Sequence, residues 1–322
     1  DSLNQRFNDT GFDFSYASHK KDSATLNFGV GVMYNNFNGK KPERADFSDW
    51  RARENAFDFN SNAWYRLGRE IYAAEFNVRW NGYKYGVLDS TYANALDTGF
   101  VQRNTIVNLK PTITTQFNND RFKAKVGVDI VFDAREKTRA HIYPVAEVKY
   151  SMLNDLFIPY VGLRGGLTQQ TFKSFTRENE FLRSNIELRN EHKAIDFYGG
   201  IKGTLSKRIS FNVGASFANV KDIALFVTDT TFSLGNKFGV IYDTANVAMI
   251  EGSIAYQLKE KIKADAIVRY TSYNLVNNSY AWNRPNLEVI LRGSYNLFDK
   301  FIFNLDLNLE QGRRALLSLI HI

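Results

Sequence analysis

Charged side chains recur at every second position in a series of extended runs, and that spacing sets the chemistry open to this chain. By this parity the candidates are Glu75, Arg79, Lys110, Lys123, Lys125, Asp129, Glu147, Lys149, Lys202, Glu251, Lys263, Asp265, Arg269, Glu288, Arg292, Asp306 and Glu310. Residues two apart on an extended backbone point to the same side, so each run lines a surface with mixed charge. Such a surface attracts and passes ions or polar solutes. It also has a plainer reading, in which opposite charges on neighbouring strands pair and fill the surface with solvated ion pairs worth about 0.2–1 kcal/mol each. Both readings stand at this point. Trp50 and Trp282 lie on or beside long polar connections, where an indole offers a stacking platform for a ligand such as a sugar.

Covalent and metal chemistry is poorly supplied. The histidines are His19, His141, His192 and His321, and cysteine is absent. His19 sits in a short turn, His192 at a loop end and His321 in an irregular tail, which leaves His141 as the strand-associated base. No spacing joins it to a serine and a carboxylate, as a hydrolase would need. No two histidines are spaced as metal ligands, and without thiolates there is no disulfide framework or Cys-based zinc or iron–sulfur centre. Gly29, Gly31, Gly199 and Gly200 lie inside strand-like runs with no following helix, so they do not form a phosphate loop. The chain reads as a non-enzyme that calls for no cofactor.

The elements that must position the charges are clearest from Asn286 to Glu310. Leu287, Val289, Leu291, Gly293, Tyr295 and Leu297 alternate with Glu288, Ile290, Arg292, Ser294 and Asn296. After a turn at Phe298-Asp299-Lys300, Phe301, Phe303, Leu305, Leu307 and Leu309 alternate with Ile302, Asn304, Asp306, Asn308 and Glu310. A period of two means β-strands with one apolar and one wet side. Strands of soluble sandwiches run to about five or six residues, whereas about ten are needed to cross a bilayer at a tilt. The apolar side is therefore expected to face lipid and the wet side a barrel lumen. Aromatic residues make up 15% of the chain and proline numbers only 5, which suits lipid contact and interfacial girdles. The net charge of +7 is spread among alternating acids and bases with no basic helix, so nucleic acid is not an expected partner.

Six further hairpins precede this one, giving an all-β antiparallel transmembrane barrel of about fourteen strands. Their turns include Gly68-Arg69, Asn118-Asn119-Asp120, Leu153-Asn154-Asp155, Ser206-Lys207-Arg208 and Lys259-Glu260-Lys261. Between hairpins the connections are mostly long, at about 35–54, 83–103, 173–192 and 220–243. The last is expected to be the longest, with Leu225-Phe226-Val227 a short strand or plug-like fold-in. Short turns on one rim and long loops on the other is the arrangement of outer-membrane barrels. A bend is expected around Pro159 and Gly165-Gly166, which interrupt the alternation. Residues 1–315 read as one partial barrel domain. The run Leu316 to Ile322 abandons the period and reads as a non-native tail, and the start at Asp1-Ser2-Leu3-Asn4 lacks a signal peptide's basic start and apolar core. The expectation is a mature or truncated chain whose full barrel is larger.

Several stretches resemble the TonB-dependent-receptor-like, or porin-like, outer-membrane barrels of Gram-negative bacteria. They are Phe157-Ile158-Pro159-Tyr160-Val161-Gly162-Leu163 with Gly165-Gly166, Tyr198-Gly199-Gly200-Ile201-Lys202-Gly203, Ala224-Leu225-Phe226-Val227, and Ala281-Trp282 near Pro285. The likeness runs up to Arg314 and rests on the order of these short motifs. It implies an outer-membrane location, uptake or diffusion of a small solute, contact with outer-membrane lipid, and a TonB-type energy-coupling partner acting through segments not seen here. The rival reading is a scaffold or adhesion barrel that binds other proteins through its long loops.

Overall fold

The computed structural model describes residues 5–18, 26–40, 51–86, 100–117, 121–230 and 236–316. His19, Trp50, the turn Asn118-Asn119-Asp120 and the tail 317–322 with His321 lie outside the described residues. The strands are β1 (Phe7–Ala17), β2 (Asn27–Gly39), β3 (Ala52–Leu67), β4 (Glu70–Tyr85), β5 (Phe100–Phe117), β6 (Phe122–Ala134), β7 (Thr138–Tyr150), β8 (Ile158–Thr168), β9 (Glu191–Ser206), β10 (Ile209–Asp229), β11 (Lys237–Leu258), β12 (Ile262–Leu275), β13 (Leu287–Leu297) and β14 (Phe301–Gln311). They form one antiparallel 14-stranded sheet in sequence order, with β1 and β14 at its edges. Among the described residues the sheet is not closed on itself.

Alternation sets the faces as the residue pattern requires. In the last hairpin Leu291 pairs with Leu307 and Arg292 with Asp306, which puts like beside like across the ladder. Phe14, Val126, Ile142, Phe197, Phe217 and Ile250 are exposed on the outer face, an arrangement suited to hydrocarbon rather than water. The opposite face carries the charged candidates and curves around a short inward segment described below. Tight turns need backbone that L-residues rarely adopt: Gly68 has φ 60°, and Phe298 and Asp299 have φ 56° and 57°.

Several boundaries differ from the sequence expectation. β10 and β11 run to 21 and 22 residues and pair from Ile209↔Tyr256 to Asp229↔Lys237, so most of 220–243 is ladder rather than loop. At about 3.3 Å per residue such a strand is roughly 70 Å long, far beyond an apolar band of about 25 Å, and the hairpin projects past the rim. A register shift between Val220 and Ile223, with Asp222 at φ 55°, marks where it re-aims. The connection from β6 to β7 is just 135–137, so the loop rim is not uniformly long-looped. β8 ends at Thr168, and a short helix α1 (Phe172–Glu178) begins just before the long connection expected at about 173–192 and runs into it. The expected irregularity at Gly165-Gly166 is present as a register shift between Arg164 and Gly166, and β7 and β8 pair only from Val145↔Arg164 to Lys149↔Tyr160.

Candidate functional site

The inner face carries two kinds of surface. Where strands pair through their charged residues, the ladder brings opposite signs together. Lys110 reaches Glu75 at 3.3 Å, and Arg79 stands opposite Asp58. Asp129 accepts a hydrogen bond from Asn108 at 3.2 Å. Glu147 pairs with Lys149 at 2.6 Å and accepts from the Tyr198 hydroxyl at 3.0 Å, while Lys125 stands opposite it in the ladder. Arg269 bridges Glu251 at 2.8 Å and Glu288 at 2.9 Å, and Arg292 lies 3.7 Å from both Asp265 and Asp306. Glu310 holds Arg313. Lys123 faces Gln116 and Lys149, Lys202 lies 6.0 Å above the Tyr160 ring, and Lys263 stands opposite Gln257 and Ser294. Trp282 packs edge-on against Tyr280 at 5.4 Å and donates to Asn278, so its ring is partly committed within its own loop.

Glycine makes room for one aromatic on this face. A Cβ on Gly214 would lie 2.7 Å from the Tyr160 hydroxyl, which instead reaches Asn212 at 2.9 Å. That packing sets the ring beneath Lys202.

The second surface is covered. The segment 169–190, a strap between β8 and β9, folds across the concave side instead of standing out from the rim. Its helix begins at a capping box in which Thr171 and Ser174 each satisfy the other's backbone amide, at 3.0 Å in both directions. The Glu54 carboxylate accepts from the amides of Phe172 at 2.5 Å and Lys173 at 3.2 Å, so β3 holds the helix start from the facing wall. Phe172 and Phe175 are fully buried, in one apolar cluster with Phe37, Tyr83, Tyr85, Leu182, Ile186, Leu188 and Phe226. Burial of each phenyl ring contributes about 1.5–3 kcal/mol.

Polar clamps fix the rest of the strap. Gln102 donates to the Leu188 carbonyl at 3.0 Å and accepts from its amide at 2.9 Å. Asn104 and Asn190 exchange hydrogen bonds at 2.6 and 3.1 Å, and Asn190 also donates to Asp133. Leu182 makes a parallel bridge to Phe238, and Arg189 lies over the Tyr242 ring at 5.0 Å. Lys173 reaches Asp9 at 2.8 Å. The strap thus touches strands from β1 to β11.

Beyond the strap, against β9 to β13, the inner face keeps a cavity of about 850 Å³ whose lining includes Arg177, Glu178, Glu191, Lys193, Arg284 and Glu288. Glu178 borders the water of this cavity, yet the surrounding walls desolvate its carboxyl and raise its pKa. Arg284 and Arg313 oppose that rise, and Glu191 adds to it.

Sequence reasoning did not find the strap or its receptors. The signal was an interruption of parity: Phe37, Tyr83 and Tyr85 are aromatic residues at wet-face positions, and all are buried against the strap. His192 lies in β9 rather than at a loop end, and its ring comes within 4.9 Å of His141, so folding pairs histidines far apart in the chain. Among the described residues no group of three or more His, Asp or Glu side chains is arranged for a metal.

By sequence, the chain matches no family model and no curated protein. By structure it is similar to the copper transporter OprC, with a TM-score of 0.58 and 13% identity over 90% of this chain and 50% of that one. It is similar to the FrpB iron transporter from Neisseria meningitidis, with a TM-score of 0.59 and 9% identity over 93% of this chain and 49% of that one. The pyoverdine outer membrane receptor FpvA from Pseudomonas aeruginosa PAO1 gives 0.55 and 12% over 93% of this chain and 50% of that one. The chain therefore spans about half the length of these proteins. Its fold is that of part of a TonB-dependent-receptor-like outer-membrane barrel.

Proposed function

We propose, from this receptor-barrel fold, that the chain belongs to the wall of an outer-membrane barrel that takes up a small polar solute and is gated by its own strap. The observation that carries the reading is the strap itself. A freely conducting pore needs an open lumen, whereas here the segment 169–190 is pinned to facing walls by Phe172, Phe175, Glu54 and Gln102. The cavity beside it, of about 850 Å³, falls in the range of small-molecule sites, about 300–1,000 Å³. Its mixed charge fits a polar solute better than an apolar one. The outer face would meet lipid, and a TonB-type energy-coupling system is the partner this class of barrel would require to move its strap or other closure. The candidate charges of the uncovered wall would border the solute path.

One observation favours the rival scaffold reading: the β10–β11 hairpin projects as a long ladder suited to binding another protein. Planar-bilayer conductance of the full-length protein separates the two. The gated reading expects little conductance from the wild type and clear conductance after deletion of residues 173–187. Steady conductance from the wild type would overturn gating, and silence from both proteins would favour the scaffold.

A further inference from the structure

Among the described residues, one corner of the inner face gathers more cations than acids. Lys110, Arg164, Arg269 and Arg292 each hold a carboxylate. At the turn rim between β6 and β9 the pattern changes. Lys123 and Lys149 stand directly opposite each other in the ladder, a like-charge pairing that is unfavourable in itself, with Glu147 held at 2.6 Å by Lys149. Lys202 approaches the same spot from β9. Arg121 completes the set, its carbonyl tied to the Ser151 amide at 2.7 Å. Together these cations line a concavity of about 630 Å³.

The acids nearby are already engaged. Glu147 is taken by Lys149 and Tyr198, and Asp155 accepts from the Ser151 hydroxyl at 2.5 Å. The turn bordering the concavity is also strained, because Leu153, Asn154 and Asp155 all adopt left-handed backbone, with φ 50°, 56° and 65°. Three successive non-glycine residues in that region persist only where their surroundings hold them there.

We infer that this corner is a binding site for a soluble multivalent oxyanion, of the phosphate or phosphate-ester class. Lysine ammoniums supply point charge and the Arg121 guanidinium supplies a planar fork that matches phosphate oxygens. The site lies on the face opposite the outer apolar residues Val126, Val148 and Ile201, so its ligand arrives from water and not from the bilayer. The inference goes beyond solute passage and does not depend on it, since equilibrium binding reads it directly.

The test is calorimetric titration of inorganic pyrophosphate into the full-length protein folded in detergent, at low salt. Wild type should bind, and the double variant Lys123→Gln/Lys202→Gln should bind at least tenfold more weakly. Lys123→Arg/Lys202→Arg should retain binding. Asp155→Asn removes a negative charge from the rim while keeping a side-chain oxygen to accept from the Ser151 hydroxyl, and should tighten binding severalfold. This gain in affinity cannot come from misfolding, so it tests the site even if the double variant folds poorly. Lys110→Gln serves as the control for diffuse charge and should leave affinity unchanged. No binding by folded wild type, or equal losses from Lys110→Gln and the double variant, would overturn the assignment.

Discussion

The inner wall under the strap and the inner wall of β12 to β14 are built on the same alternation, yet they differ in what covers them. Beneath the strap, Tyr83 is fully buried and Tyr85 retains 3% of its exposure. On β13 and β14, the Arg292 and Asp306 side chains keep 54% and 77%. Alternation decides which side of a strand avoids lipid. It does not decide what occupies the space on the other side. Under the strap that space is filled by apolar contacts and amide clamps, whose loss is costly because buried partners are left behind. On β12 to β14 it is left to solvated ion pairs, which are worth little singly.

The largest effect should come from cutting into the covered side. Phe172→Ala removes a fully buried ring from the cluster that joins α1 to β2, β4 and β10. Such truncations cost about 3–5 kcal/mol, which would shift the closed-to-open ratio of the strap by two orders of magnitude or more. Trypsin should then cut at Lys173 or Arg177 in a protein that keeps its β-sheet circular dichroism. Cleavage no faster than in wild type would show that the strap is held by something other than this cluster.

Next in size is the contrast between the two faces of one strand. Val128 is exposed on the outer face, whereas Asp129 hydrogen-bonds Asn108 on the inner. Arginine facing lipid near the midplane costs about 2–4 kcal/mol, so Val128→Arg should depress folding into bilayers far more than Asp129→Arg. Equal losses would mean the faces are reversed.

These two predictions are unequally legible in the sequence. The parity of Val128 and Asp129 follows from a run of alternating residues, and the same spacing alone puts Glu251, Arg269 and Glu288 on one surface. Local spacing suffices because strand geometry is local. The strap is not legible, since Phe172 lies more than a hundred residues from Glu54 and its neighbours look like ordinary loop. Even the helix is short enough that its stability comes from docking and not from propensity. The extended β10–β11 ladder is hidden for a related reason: beyond the bilayer, pairing no longer requires one apolar and one polar side, so Val220 to Asp229 lose the periodic signal while remaining strand.

On the uncovered wall the expected effects shrink. Arg269→Gln leaves Glu251 and Glu288 without their shared cation, but these side chains keep 28% and 24% exposure and water can take over. The loss should be about 1 kcal/mol in urea unfolding. A loss as large as that of Phe172→Ala would mean that this wall, too, is structurally covered. Asp306→Lys should change stability by less than about 0.5 kcal/mol. It should still shift ion preference towards anions in a strap-deleted, conducting barrel. Unchanged selectivity would place Asp306 away from the permeation path.

A further, pH-dependent effect lies where the two regions meet, at Glu178. Desolvation raises its pKa when the strap is docked, relative to the ordinary carboxylate value of 4.5 that it regains when the strap swings into water. The docked state therefore holds more protons than the undocked state between those two values. By linkage, docking is at full strength below the ordinary value and weakens as pH rises through the raised one. Glu178→Gln has no proton to lose, so its strap should be protected from trypsin more strongly than the wild type at neutral pH, by less than about tenfold because the carboxyl still touches water. Near pH 4 and below, the two proteins should converge. If wild-type protection instead grows with pH, or the variants differ only in acid, then the attraction of Arg284 and Arg313 outweighs desolvation. Glu178 would then be an anchor of the strap and not a weak point in its closure.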